Sequence, residues 1–394
     1  MPLVGVGTDV PQNGPLAPVG GDAVAGSSAV GKERVMEERT TGGTTPLPGR
    51  VVAPRQERAG AVPAGPGRAD LARAVETALR APSVHNTQPW LWRIGTDVIE
   101  LHTDRFRHLA ATDPDRRDLV VSCGAALHHL RVALAGSGTA TEVARLPDPE
   151  DRSLLAVVRP VAGAPDPALA ALAPAIPLRR TDRRRLSHRA VPADLVAELV
   201  DRAGGEGILL VPVTGPGRRD RLLAALAEAA VLQRTRPGYA AELQRWSHRP
   251  EHARDGVPAA NVPPPPVGSS HSPQQRRFGR CDLAQPPTRA GRHPDDDGSV
   301  FLVLATAGDS PLDRLRAGEA ASAVLLAATR DGLATTPFSQ PVELGESRLP
   351  LARDVLRIPE QAQLVLRIGW PVPGAGPIPE SPRRRLRAVL LGPD

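Results

Sequence analysis

Pro82-Ser83-Val84-His85-Asn86-Thr87-Gln88-Pro89-Trp90 is the stretch on which the reading of this chain turns. Prolines bracket it, and between them stand two hydroxyls and two carboxamides. On its N-terminal side, from Ala69, the residues Leu71, Val75, Ala78 and Leu79 recur on one helical face. That helix stops at Pro82, because the residue before a proline is pushed out of the helical region. On its C-terminal side residues 90–94 and 98–103 read as extended segments. A rigid polar turn between helix and strand can aim its Ser, Asn and Gln groups at a flat heterocycle. The same residues can equally form an Asx-type turn that satisfies only its own backbone.

Working outward, residues 119–134 are apolar on nearly all sides, which marks a buried central helix. Residues 154–158 read as a strand and 165–172 as a short helix. The pattern then restarts with an amphipathic helix over 192–203, a strand over 208–213 and a long helix over 218–244. Residues 250–298 are rich in Pro, Arg and Ser, with four prolines in a row at 263–266. They form an insertion, either a mobile loop or a cover over a site. Beyond it lie a strand (300–306), a helix (311–331) with Gly332 as its C′ residue, and a strand (363–368). Helices and strands mix without strict βαβ alternation, so the fold class is α+β, a layered sheet flanked by helices. No G-x-G-x-x-G follows a strand and no G-x-x-x-x-G-K-[ST] occurs, so dinucleotide-fold and P-loop readings lose their main support.

The chain has 394 residues, 41% of them apolar, with 44 prolines and 37 glycines. At about 100 to 200 residues per domain this allows two or three units, or one fused pair. Residues 1–67 show no sustained period of either regular structure and read as a disordered leader; Met36 offers an alternative start. Aromatic residues number 4 Phe, 4 Trp and 1 Tyr, so the core must be Ala, Val and Leu, and a stacking platform for nucleic acid is excluded. The net charge of +6 is an arginine effect, Lys32 being the single lysine, and where the arginines cluster matters more than their number. Cys123 and Cys281 are the only cysteines, which excludes a disulfide framework and suits a reducing compartment. No apolar run approaches about 18 residues and no basic segment precedes an apolar one near the N-terminus. The expectation is a cytoplasmic protein with neither membrane nor nucleic-acid partner.

Three further segments carry chemistry. Arg179-Arg180-Thr181-Asp182-Arg183-Arg184-Arg185 precedes a helix. Arginines alternating around a hydroxyl can converge on one phosphate by bidentate, charge-assisted hydrogen bonds, although a solvated charge run or contacts to nucleic-acid phosphates would look the same. Gly332-Leu333-Ala334-Thr335-Thr336-Pro337-Phe338-Ser339-Gln340 reads as a loop whose small residues let backbone approach a planar ligand, or as a plain connection. Pro382-Arg383-Arg384-Arg385 is a second cationic cluster, a phosphate clamp or a basic tail.

Together these segments resemble the nitroreductase superfamily of flavin proteins, and look like its Acg-type branch of actinobacteria. The likeness rests on P-S-x-x-N-x-Q-P-W, R-R-T-x-R and the G-L-x-x-x-P loop. It extends to Ala317-Gly318-Glu319-Ala320, Asp255-Gly256-Val257-Pro258 and the terminal arginines, and spans about residues 68–388. It implies FMN as cofactor, NAD(P)H as electron donor and a small-molecule acceptor such as a nitro compound or quinone. It also implies that Arg179, Thr181 and Arg183 hold the flavin phosphate, with Arg180 along the ribityl chain and Arg383 or Arg384 completing the clamp. Pro82, Ser83, Asn86 and Gln88 would contact the ring, and Pro337, Phe338 and Ser339 would flank it. Family subunits carry both motifs, whereas here the proline-bracketed loop stands only in the first half and R-R-T-x-R only in the second. The expectation is two nitroreductase-like halves, 68–175 and 176–388, fused into a monomer that imitates the dimer around one flavin site.

No Ser/His/Asp, Cys/His or metal-spaced cluster stands out, and flavin chemistry requires none, since the cofactor carries the electrons. No catalytic side chain or metal is therefore assigned. His128 and His129, adjacent on the buried helix and about 100° apart around it, read as core or capping residues. A flavin-holding protein with a covered site and little turnover is the alternative function.

Overall fold

The computed structural model describes residues 65–250, 252–264, 276, 278, 281–286 and 297–392. Residues 1–64, most of the expected leader, lie outside them. The first helix, α1 (Arg68–Ala78), buries Leu71, Ala74, Val75 and Ala78. It leads through the proline-bracketed loop to β1 (Trp90–Ile94) and β2 (Ile99–Thr103). Then come α2 (Arg117–Gly136), β3 (Ala140–Arg145) and β4 (Leu154–Val161). A single turn, α3 (Pro167–Ala170), and the amphipathic α4 (Ala193–Gly205) lead to β5 (Leu209–Val213).

The long helix expected over 218–244 is two helices, α5 (Pro216–Thr235) and α6 (Tyr239–Ser247). Pro237 cannot continue the hydrogen-bond ladder, and Gly238 at φ 82° takes the left-handed corner between them. After β6 (Val300–Thr306) and α7 (Pro311–Arg330), Gly332 at φ 78° turns the chain into β7 (Ala334–Phe338). A short α8 (Gly345–Pro350) precedes the last strand, β8 (Gln361–Gly369).

The strands form two antiparallel sheets, ordered β1-β2-β4-β3 and β5-β6-β8-β7. The same order therefore occurs twice, each time with a 20-residue helix between the second and third strands. Those helices, α2 and α7, cross at Gly124 and Gly318, the eighth residue of each. A Cβ on Gly124 would fall 2.0 Å from the Leu315 carbonyl oxygen, and one on Gly318 would fall 2.0 Å from that of Val121. Only glycine permits this approach. Four residues further along each helix, His128 Nδ1 and Ser322 Oγ meet at 2.7 Å.

One core packs α1 and α2 on the first sheet around Trp90, Trp92, Leu101 and Leu127. A second joins α2, α4 and α7 to one face of the other sheet through Leu302, Leu304 and Leu366. A third covers the opposite face, where Phe301, Val303 and Val365 meet Leu222 and Leu226 of α5. Because both faces of that sheet are covered, β6 reads as a continuous apolar run. By length and composition α2 could cross a membrane, unlike the apolar runs the sequence suggested, but it is buried within the protein.

Two strands were not legible as strands. β3 is an edge whose residues are half-exposed, and β7, read from sequence as a loop, is an edge containing Pro337. One edge of each sheet is paired further. Thr181 bridges in parallel to Thr335 of β7, and Leu390 bridges to Trp92 of β1. These pairings bring the arginine segment and the C-terminal segment beside the proline-bracketed loop.

Candidate functional site

The proline-bracketed loop is fixed from both ends. The Ser83 hydroxyl accepts from the Gln88 amide at 2.9 Å, and the Val84 amide donates to Ser122 Oγ of α2 at 3.1 Å. Inside it His85, Asn86 and Gln88 have φ of 45°, 54° and 51°. Three consecutive or near-consecutive left-handed residues that are not glycine need strong support from their surroundings. Asn86 supplies some of it: its Nδ2 donates to the carbonyls of Gly256 and Pro382 at 2.9 and 3.0 Å, and its Oδ1 accepts from Arg383. Gln88 donates to the Arg254 carbonyl at 2.8 Å and accepts from the Arg384 amide at 2.8 Å. The carboxamides thus tie the insertion and the C-terminal segment to the first half.

A cavity opens beside this loop. Pro82, Ser83 and Asn86 line it, with Arg179, Arg180, Thr181 and Arg183 from the segment before α4, Pro337, Phe338 and Ser339 from the end of β7, and Arg383. Of the residues the sequence singled out, Gln88 and Arg384 do not line it. Arg384 is instead paired with Asp104 at 3.2 Å and donates to the Gln88 carbonyl. The segment that carries the arginines is held against β7 by the Asp182 amide, which donates to the Thr335 carbonyl at 3.0 Å, and by Thr336 Oγ1, which donates to the Asp182 carbonyl at 2.6 Å.

The sequence did not point to several other lining groups. Asp118, Val121, Ser122 and Ala125 face the cavity from α2, at the spacing that puts them on one side of a helix. Within the loop His85 was a variable position; it is 6% exposed, and neither ring nitrogen has a partner among the described residues. Arg276 and Phe278 come from the insertion, with Gly256 and Val257. Phe278 packs edge-on against His85, centroids 6.0 Å apart, and lies under the Arg183 guanidinium at 5.2 Å. Arg276 is ion-paired with Glu343 and donates to Tyr239 Oη at 3.0 Å. No periodicity or motif flags Arg276 or Phe278 in the sequence. The described residues Gly256, Val257, Arg276 and Phe278 of the 250–298 stretch thus line one side of the cavity.

The electrostatics of the cavity are those of a site awaiting an anion. Arg179 is buried, its Nε and Nη1 lack partners among the described residues, and burial together with Arg383, Arg180 and Arg183 pulls its pKa down to about 9. Arg183 is pulled down to about 10 by burial and by Arg276, with Asp182 opposing. Arg383 also falls to about 10: burial is the largest cause, Arg180 and Arg80 add to it, and Glu380 opposes them. All three remain charged at neutral pH and repel one another. His85 is held well below the ordinary histidine range by burial, Arg276 and Arg183, and so is neutral. A dianionic phosphate would relieve this repulsion and take up the unused N–H groups. Among the described residues no cluster of His, Cys, Asp and Glu could hold a metal ion.

No family model matches the chain. A protein of Mycobacterium tuberculosis named "Putative NAD(P)H nitroreductase" is 43% identical over 327 residues, which is 83% of this chain and 92% of its own length. The "Putative NAD(P)H nitroreductase acg" of the same organism is 34% identical over 319 residues, 80% of this chain and 94% of its own. Among solved structures, a "putative nitroreductase" of Anabaena variabilis is 12% identical with a TM-score of 0.39, covering 77% of this chain and 88% of that one. The chain belongs to the nitroreductase family, with Acg among its relatives. It is an α+β oxidoreductase of the nitroreductase type.

Proposed function

We propose that the cavity binds FMN and that the protein uses it to pass electrons from NAD(P)H to a nitro compound, a quinone or a similar small electrophile. The observation that carries this reading is the convergence of Arg179, Arg183 and Arg383 on one cavity with too few anionic partners. With Thr181 and Arg180 they would hold the phosphate. Two or three charge-assisted hydrogen bonds at about 1.5 to 3 kcal/mol each supply a large share of the roughly 8 kcal/mol of a micromolar complex. The 82–86 loop and residues 336–340 would frame the ring from opposite sides. Bound there, FMN would supply the two-electron chemistry; the chain supplies the anchor, the orientation and a wall against water.

The repeated strand order and the glycine crossing of α2 on α7 support a pseudo-dimer, two halves fused in a monomer with one flavin site. At the position on α7 that matches Ala125 on α2, counted from the crossing glycines, stands Glu319. It is fully buried and paired with Arg131 and Arg145, so the counterpart of the cavity is filled by an ion-pair cluster.

The insertion favours a second reading, a flavin-holding protein with little turnover, since Arg276, Phe278, Gly256 and Val257 cover one side. Purified protein incubated with FMN is expected to be a yellow monomer with one flavin per chain, and mixing with NADPH in a stopped-flow cell is expected to bleach it. Absence of bound flavin sinks both readings. An unbleached yellow protein sinks the enzyme and leaves the holder.

A further inference from the structure

On the α2 side of the cavity stands a carboxyl group that none of these binding roles uses. Asp118 is 3% exposed, forms part of the cavity lining, and its Oδ2 has no hydrogen-bond partner among the described residues. The groups that face it differ in sign. Asp113, in the turn before α2, and Glu343, after β7, repel its charge, while Arg276 of the insertion and the Ser339 hydroxyl favour it. His85, Arg179 and Arg183 line the same cavity. Arg276 is already committed to Glu343. Asp113 caps α2, accepting from the Arg117 and Leu119 amides at 2.7 and 2.9 Å. The dipole at the start of α2 favours a carboxylate, but burial is the larger influence and pushes Asp118 well above the ordinary range. A buried acid with a free oxygen, in surroundings that favour its protonated form, therefore faces the cavity. His85, which lines the same cavity from the proline-bracketed loop, is a neutral imidazole, which gives up its N–H far less readily.

We propose that Asp118 is a catalytic residue, the acid that protonates the electron acceptor as it is reduced; the inference rests on the FMN reading above. A nitro group takes two electrons and two protons to become a nitroso group and water. NAD(P)H, through the bound flavin, supplies both electrons and one proton as hydride. The other proton leaves the Asp118 carboxyl for the substrate oxygen, forming an O–H bond and leaving a carboxylate that regains a proton from water before the next cycle.

The test uses the FMN-loaded protein, NADPH and 4-nitrobenzamide, with the two half-reactions followed separately. Asp118→Asn is expected to keep FMN and the rate of reduction by NADPH while reoxidation slows about 100-fold or more, the usual scale of general-acid catalysis. Reoxidation by the wild type is expected to fall on the alkaline side, and Asp118→Asn to lose that dependence. Glu343→Gln removes a repelling charge, so it should move the alkaline limb to lower pH; this variant also decides the matter if Asp118→Asn does not fold. Infrared spectra of the flavin-free protein at neutral pH are expected to show carboxylic-acid absorption, part of it from Asp113, and Asp118→Asn is expected to remove one component of it. Unchanged reoxidation in Asp118→Asn, an unmoved limb in Glu343→Gln, or carboxylic-acid absorption that Asp118→Asn leaves unchanged overturns the assignment. Failure to bind FMN defeats the parent reading instead, and the infrared result still stands.

Discussion

Arg179 shows how a single side chain can be costly to the fold and useful to the site. Its guanidinium is buried and repelled by three other arginines, and its Nε and Nη1 lack partners among the described residues. Arg179→Gln should therefore raise the melting temperature of the flavin-free protein, since it removes a desolvated charge. The same change should weaken FMN about 10- to 100-fold, the worth of one charge-assisted hydrogen bond of about 1.5 to 3 kcal/mol. Calorimetry of the apoprotein and a flavin titration together check this; a lower melting temperature with unchanged affinity would refute it. Asn86 and Gln88 make a different point. The sequence marks them as ring contacts, yet their amides go to main-chain groups of the insertion and the C-terminal segment. Both readings of a polar turn were open from composition; these carboxamides hold main-chain groups in place, and Asn86 also lines the cavity.

At the scale of elements, the α2–α7 crossing decides how the two sheets are joined. Gly318→Ala places a methyl group where the Val121 carbonyl oxygen already lies, and overpacking of this kind costs about 1 to 3 kcal/mol or more. Gly204→Ala in α4 meets nothing within 4 Å and should be neutral or stabilising by up to about 1 kcal/mol. Urea midpoints of the two variants should move in opposite directions or, at least, only the first should fall; equal midpoints would mean the crossing is not tight. The two long helices were legible because apolar residues surround them on nearly every side. The edge strands β3 and β7 were not, because a half-exposed edge lacks the apolar alternation that marks a strand, and Pro337 argues locally against one. The break between α5 and α6 was written in Pro237 and Gly238, and the apolar periodicity on either side masked it.

For the whole molecule the buried titratable groups set the pH dependence of stability. Asp113 is pushed up to about 7 from 3.8 by burial, and Asp118 is raised too, so the folded chain holds two protons that the unfolded chain releases. From these groups stability declines as pH rises from about 4 to about 7. His85, His128 and His129 are held well below 6.5, burial being the first cause in each. Their contribution is present above 6.5 and is lost as pH falls. Three histidines against two carboxyls leave about one net proton taken up on unfolding below 6.5, which is roughly 1.4 kcal/mol per pH unit. Burial opposes the ionised form of Asp309, but Arg314 and Arg117 outweigh it and hold the pKa at about 2, which adds to the loss in stronger acid. Urea midpoints between pH 4 and 9 should peak near neutrality, and Asp118→Asn should steepen the acid side; a wild-type maximum at pH 5 would show that the carboxyls outnumber the histidines.

What the amino-acid sequence determined alone is local: where most of the helices and covered strands lie, and which short polar motifs stand between them. Periodicity, proline and glycine act over a few residues and leave their mark in order along the chain. What only the tertiary structure decided is the company those motifs keep. Asp118, His85, Arg276 and Phe278 became site residues because α2, the proline-bracketed loop, residues of the 250–298 stretch and an edge strand converge on one cavity. Burial and charge repulsion, which give those groups their chemistry, arise between residues as far apart in the chain as Asp118 and Glu343 and so leave no trace in any short window of sequence.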